Sequence, residues 1–224
     1  MPFQPDTESK TELWRLIDGL RRAVDASVSL DLPATELSWL ADRAQDLAVA
    51  LGARSGKKPF ARYGGTLDPS DPNAILPFSP VSGPYNPLSP PMEIGIVAGT
   101  PVRVVGRVTF GNAYEGPPSG VHGGVVASVY DEILALGAIA SNAGGPTATL
   151  TVRYRRMTPL LTPLRFEAWT DRIEGRKAFV RGACYAGEDL VSEAEALFVR
   201  FDPARSPWAG ALDLASPRAP AAKE

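Results

Sequence analysis

The sequence is poor in the residues from which many sites and scaffolds are built. Its 224 residues include one cysteine, Cys184, and one histidine, His122. A lone cysteine cannot close an internal disulfide, which excludes a disulfide-stapled scaffold. One Cys and one His cannot supply the usual Cys/His zinc site, so no metal is expected. Charge of one sign is lacking too: 23 Lys and Arg stand against 25 Asp and Glu, leaving a formal charge of −2. That balance lacks the basic footprint of a nucleic-acid binder. No run of about 18 apolar residues announces a membrane-spanning helix. The opening MPFQPDTESK has neither the basic nor the apolar stretch of a secretory signal, so a soluble cytoplasmic protein without a membrane partner is expected. Walker loops, G-x-G-x-x-G and G-x-S-x-G are all missing, which argues against nucleotide-fold and serine-hydrolase chemistry.

What is present suffices for one core. Apolar residues make up 44% of the chain and charged residues 21%, near the soluble globular average. Residues 9–30 carry a helical stripe of Leu13, Leu16, Ile17, Leu20, Ala23 and Val24, with Ser9 and Glu12 at capping-box spacing. A second stripe runs through Leu37, Leu40, Ala41, Ala44, Leu47, Ala48 and Leu51, and Gly52 is placed to end it. Both stripes are narrow, as expected of helices that pack on something else. Residues 53–92 break every period with nine prolines from Pro59 to Pro91, yet retain Phe60, Tyr63, Phe78 and Tyr85. Disordered segments are poor in aromatics, so an extended arm lying along a folded body is expected.

From Glu93 the texture becomes β-rich. Strands are predicted over 93–98 and 102–110, then over 147–157, 164–174, 177–186 and 190–201. Between the two groups lies VVASVYDEILALGAIASNA, too long and too rich in Ala and Leu for a strand, and apolar nearly all round as in a buried helix. Two strands, a helix and four strands fit an α+β antiparallel sheet wrapped around one buried helix better than a βαβ scheme. The domain plan is therefore residues 1–83 as helices and Pro-rich arm, 84–202 as the sheet domain, and 203–224 as an Ala/Pro-rich tail.

The chemistry concentrates in Gly120-Val121-His122-Gly123-Gly124 and in Asp131, on the helix that follows. Glycines at a helix mouth leave backbone N–H groups open to a ligand, and the positive end of the helix suits a carbonyl oxygen acquiring negative charge. Asp131, expected to be buried, would serve as base or nucleophile; the other reading is that Asp131-Glu132 is a solvated corner. His122 and Asp131 are nine residues apart, about 13 Å along one helix, too far to share a small reaction centre. If both serve one site, they come from two subunits with antiparallel central helices. Among the basic residues, Arg153 and Arg155 share one strand face, Arg156 takes the other, and Arg176, Lys177 and Arg181 follow the Glu174-Gly175 turn. They fit either phosphate binding or a charged, solvated sheet edge.

The G-x-HGG run with Asp nine residues beyond the His resembles the hotdog-fold acyl-CoA thioesterases of the phenylacetate-pathway branch, and most of all the mitochondrial long-chain type. The resemblance extends through Tyr114-Glu115-Gly116-Pro117-Pro118, Thr147-Ala148-Thr149-Leu150, Tyr154-x-Arg156 with Pro159-Leu160, and Glu174-Gly175-Arg176-Lys177, covering roughly residues 84–202. Simpler members often carry Asn ahead of the HGG, where this sequence has Gly116. The resemblance implies a hotdog fold and a homodimer, or a dimer of such dimers, acting on acyl-CoA without a cofactor. It implies catalytic roles for Asp131, His122, Gly123 and Gly124, with Thr147 orienting water. It also implies substrate contacts by Arg153, Arg155 and the strand Arg176, Lys177, Ala178, Phe179, Val180 and Arg181. A hydratase or dehydratase acting on acyl thioesters and a non-catalytic acyl-CoA sensor are the alternatives.

Overall fold

The computed structural model describes residues 7–56 and 76–200. Two helices open it, α1 (Thr7–Ser27) and α2 (Ala34–Gly52). Strands β1 (Glu93–Val97) and β2 (Arg103–Thr109) follow, then a 3-10 turn (Asn112–Tyr114) and helix α3 (Gly123–Ala140). Strands β3 (Thr147–Tyr154), β4 (Pro163–Glu174), β5 (Lys177–Ala186) and β6 (Asp189–Val199) complete it.

The six strands form one sheet in the order β1-β2-β4-β5-β6-β3, every neighbouring pair antiparallel. Side chains alternate across a strand, and here the even-numbered positions turn inward. Ile94, Val104, Val108, Leu164, Phe166, Ala168, Ala178, Val180, Cys184, Ala194, Ala196 and Phe198 all lie in one buried cluster with the α3 side chains Val126, Val129, Tyr130, Ile133, Leu134, Leu136 and Ala138. This is the expected sheet around one buried helix. Close approach needs glycine at two inward positions: a Cβ on Gly106 would come within 2.4 Å of Ile133 Cδ1, and one on Gly182 within 3.0 Å of Leu134. Tyr130 anchors the centre, its ring edge-on to Phe166 at 5.2 Å and its hydroxyl 3.0 Å from Ser192 Oγ. By length and hydropathy α3 would pass for a membrane span, although no 18-residue apolar run is evident from the sequence; it is the inner layer of this core instead.

Hairpin chemistry sets the register of the last strands. Glu174 pairs with Lys177 and Ala186 with Asp189, leaving two-residue turns that begin at Gly175 (φ 58) and Gly187 (φ 60), a conformation glycine adopts without steric cost. β3 ends three residues short of its predicted limit because Arg155 N–H and Arg156 N–H both turn to the Val191 carbonyl. Its other edge has no neighbouring strand among the described residues.

At the N-terminus the pattern is partly corrected. Helix α1 begins at Thr7, so Ser9 and Glu12 lie inside it rather than at its start. Of its stripe, only Ile17 is buried. Helix α2 ends at Gly52 as predicted, but none of its residues is buried and Trp39 is 62% exposed. Of the proline-rich stretch, residues 57–75 lie outside the described residues, while 76–92 lie along the sheet-and-helix body as expected of an arm. Phe78, Ser79, Ser82, Ser89 and Met92 are buried there.

Candidate functional site

The helix mouth is built by a short hairpin. Glu115 bridges Val121, and Gly116 N–H donates to Gly120 O at 2.9 Å, so the chain reverses before entering α3. A Cβ on Gly116 would lie 2.6 Å from His122 Cα, so any side chain there displaces His122. That gives Gly116 a steric role in this chain. His122 N–H donates to Tyr114 O at 2.8 Å. The His122 side chain is the N-cap of α3, its Nδ1 accepting from Gly124 N–H at 3.0 Å. This bond assigns two roles. In the neutral ring the proton sits on Nε2, which becomes the donor facing outward. Gly124 N–H is already used, so the expectation that it stands open to a ligand is corrected. Gly123 N–H is the remaining glycine donor of the mouth, since the first N–H of a helix has no acceptor in its own helix. On the same residue, the Gly123 carbonyl accepts the Tyr154 hydroxyl at 2.7 Å, tying β3 to the helix start. The sequence quoted Tyr154 as part of a motif but gave it no task.

Asp131 lies further along α3 and accepts a 2.7 Å hydrogen bond from Thr147 Oγ1 at the start of β3. Two residues given separate roles by the resemblance are thus side by side in one chain. The expected burial is not found: Asp131 is exposed in the single chain, on the flank that faces the open β3 edge. The less accessible acid is its neighbour. Glu132 Oε1 accepts from Ser82 Oγ, and burial, relieved in part by Ser82 and Ser79 and reinforced by the charge of Asp131, holds its carboxyl above the usual range. Nothing in the local sequence marks Ser82, fifty positions away, as its partner.

The basic candidates do not gather in one place. Arg153 and Arg155 both reach Glu193, the former at 3.8 Å, in keeping with a shared strand face, whereas Arg156 pairs with Asp189 at 2.8 Å. Arg181 lies 3.6 Å from Asp171. Arg153 and Arg181 line a groove of about 390 Å³ on the outer face of the sheet, with Trp169, Tyr185, Glu193 and Glu195. Arg176 donates through Nε and a terminal nitrogen to Arg200 O at 3.0 and 2.9 Å, beyond that groove. Within the β5 run, Ala178 and Val180 turn inward and are fully buried core residues. Lys177 is exposed at the turn, and Phe179 lies under the Arg172 guanidinium at 3.6 Å. Only the outward members of the run are accessible to a polar ligand in the single chain.

Cys184, one strand position from these groups, is enclosed by the core, and burial pushes its thiol up to about 12. It is expected to stay unreactive toward a thiol reagent in the folded protein and to label only on unfolding. Fast stoichiometric labelling of native protein contradicts that placement.

Residues 120–193 match the family model described as the thioesterase superfamily. The acyl-coenzyme A thioesterase THEM4 of Xenopus laevis is 37% identical over 103 residues, 45% of this chain and 46% of that protein. The protein of the same name from Mus musculus is 34% identical over 103 residues, 45% of this chain and 44% of its own. The match thus spans under half the length of these curated relatives. A crystal structure of a thioesterase superfamily protein superposes with a TM-score of 0.73 at 29% identity, covering 88% of this chain and 96% of that one. The stretch from Glu93 to Val199 is only about half of the 224 residues, so this likeness also takes in residues N-terminal to the sheet.

Proposed function

We propose, from the match of residues 120–193 to the thioesterase-superfamily model and the likeness to a solved protein of that superfamily, that the chain hydrolyses acyl-CoA thioesters to a carboxylic acid and free CoA. One observation carries the reading. A single helix presents a His-capped N-terminus with a glycine N–H at one end and an Asp–Thr pair nine residues on. The thioester carbonyl oxygen, as it gains negative charge, is stabilised by Gly123 N–H and the positive helix end, with His122 Nε2–H aligning that end of the substrate. Asp131, oriented by Thr147, either takes a proton from water as it adds to the carbonyl carbon or attacks that carbon itself. The carbon–sulfur bond then breaks, and the departing thiolate takes up a proton to give CoA; where Asp131 has attacked, water next cleaves the acyl-aspartyl anhydride, releasing the carboxylic acid and restoring the carboxylate. No metal or redox cofactor is required by these steps.

The site needs two copies of the chain. His122 at the mouth of α3 and Asp131 midway along it are about 13 Å apart, so Asp131 of one subunit meets the helix mouth of the other. A two-fold dimer provides two such sites. The exposed flank carrying Asp131 and the open edge of β3 are the surfaces that support this pairing. Whether two such dimers associate further is a question for solution mass measurement.

Incubating the purified chain with saturated acyl-CoAs of several lengths and with a 2-enoyl-CoA tests the reading. Thiol released from the saturated substrates is the expected result. Loss of the enoyl absorbance without thiol release marks a hydratase, and tight binding with no turnover marks a sensor. The buried thiol of Cys184 keeps the thiol background low.

The arginines yield a separate prediction. If Arg155 and Arg176 hold the phosphates of CoA, Arg155→Ala and Arg176→Ala raise KM for acyl-CoA, and the salt dependence of KM weakens. Folding is expected to survive, because exposed ion pairs contribute only about 0–1 kcal/mol. With acyl-pantetheine, which keeps the thioester but lacks the nucleotide phosphates, the same variants are nearly silent. Equal losses on both substrates would place phosphate recognition elsewhere.

A further inference from the structure

We propose that Glu132 is a positioning residue for this reaction: by holding Ser82 of the 76–92 segment it fixes the rotation of α3 about its axis, and hence the direction in which Asp131 points. The inference rests on the thioesterase reading and extends it to residues outside the matched family segment.

The α3 core face is apolar, built from Val126, Val129, Ile133, Leu134 and Leu136, and apolar packing is non-directional. Hydrogen bonds to a carboxylate are directional and strong. Glu132 is one residue, about 100° of helix turn, from Asp131, and its Oε1 accepts from Ser82 Oγ. The segment is shaped to present that hydroxyl. Ser79 Oγ accepts from Val81 N–H at 3.0 Å, and Gly83 N–H donates to Ser79 O at 3.1 Å. A Cβ on Gly83 would lie 2.4 Å from Ser79 N, so the turn closes only with glycine there.

Helix α1 then locks the segment. One terminal nitrogen of Arg21 donates to Gly83 O, Pro84 O and Asn86 O at 3.0, 3.2 and 3.0 Å. One turn on, Asp25 Oδ1 accepts Ala113 N–H at 3.0 Å. That contact braces the 3-10 turn whose Tyr114 carbonyl holds His122, and the Tyr114 hydroxyl donates to Leu88 O of the segment at 3.0 Å. The N-terminal helix therefore touches the supports of both the mouth and the middle of α3. An apolar residue at 132 would serve the fold at least as well as a partly buried carboxyl beside a second one, so the demand met here is orientation.

The test compares Glu132→Gln, whose amide oxygen still accepts from Ser82, with Glu132→Ala in the full chain. Alanine is expected to lower kcat by roughly 10- to 100-fold, the scale of small misplacements in a site, with KM within about twofold of wild type. Glutamine is expected to restore at least half of kcat. Hydrogen–deuterium exchange across residues 126–135, without substrate, is expected to speed up in the alanine variant and stay at the wild-type level in the glutamine variant. Ser82→Ala, which removes a single hydrogen bond, gives the same pattern in milder form should Glu132→Ala not fold. Unchanged kcat in folded Glu132→Ala, equal losses in both variants, or unaltered exchange each overturn the proposal. If the wild type releases no CoA from any thioester, the thioesterase reading has failed instead, and the exchange data alone decide whether the latch exists.

Discussion

Asp131→Asn is expected to lower kcat on acyl-CoA by about a hundredfold or more, the scale carried by a general base or nucleophile, with little change in melting temperature. The substitution is well matched to the site. Asparagine keeps an oxygen that can accept the 2.7 Å bond from Thr147, so geometry is preserved while the charge and the basic lone pair are lost. Asp131 is exposed and its loss opens no cavity, so a fall in turnover cannot be attributed to the core. Removal of Thr147's hydroxyl would act more weakly in this scheme, since it orients the acid without replacing it. Near-normal turnover in Asp131→Asn would remove Asp131 from the mechanism.

Mixing His122→Ala chains with Asp131→Asn chains, each inactive alone, is expected to restore activity at one of the two sites in each mixed dimer. At full exchange about half of the dimers are mixed by random pairing, and each has one intact site, so roughly a quarter of wild-type activity returns. The prediction follows from helix geometry: nine residues at 1.5 Å each place His122 at the start of α3 and Asp131 about 13 Å further along it. Recovery without subunit exchange, or exchange without recovery, contradicts the shared site. His122 also caps α3 through Nδ1, so the His122→Ala partner must first show a native melting transition.

Much of this arrangement was legible in the residues, because it is encoded locally. Alternation through Val104, Val108, Phe166, Ala168, Ala178 and Val180 marks the buried face of the sheet, and Gly175 and Gly187 mark its last two hairpins. The apolar character of 125–140, interrupted by Ser128, Tyr130, Asp131 and Glu132, marks the inner helix, and its start at Gly123 is capped by His122. Asp131 and Thr147 are each named by the family resemblance, but their mutual hydrogen bond is not. What stayed hidden is non-local. Proline-rich 76–92 has no period, so nothing local predicts that Ser82 meets Glu132 or that Arg21 reaches three carbonyls sixty residues away. The loss of Gly124 N–H to the His122 ring depends on a side-chain rotamer, which spacing does not specify. Burial of Asp131 was expected from the apolar character of its helix, but it sits on the flank left open by the sheet. Ala178 and Val180 entered the binding list with their whole strand, although alternation alone assigns them to the core.

The most direct test of the central claim is the product stoichiometry of the wild-type chain acting on one saturated acyl-CoA in water enriched with heavy oxygen. Hydrolysis predicts one CoA thiol and one carboxylic acid for each substrate consumed, with one heavy oxygen in the acid after a single turnover if water attacks the acyl carbon, or only after repeated turnover if Asp131 attacks first and water opens the anhydride at the Asp131 carbonyl. An intact dimer that binds acyl-CoAs of every length but releases no CoA would contradict it.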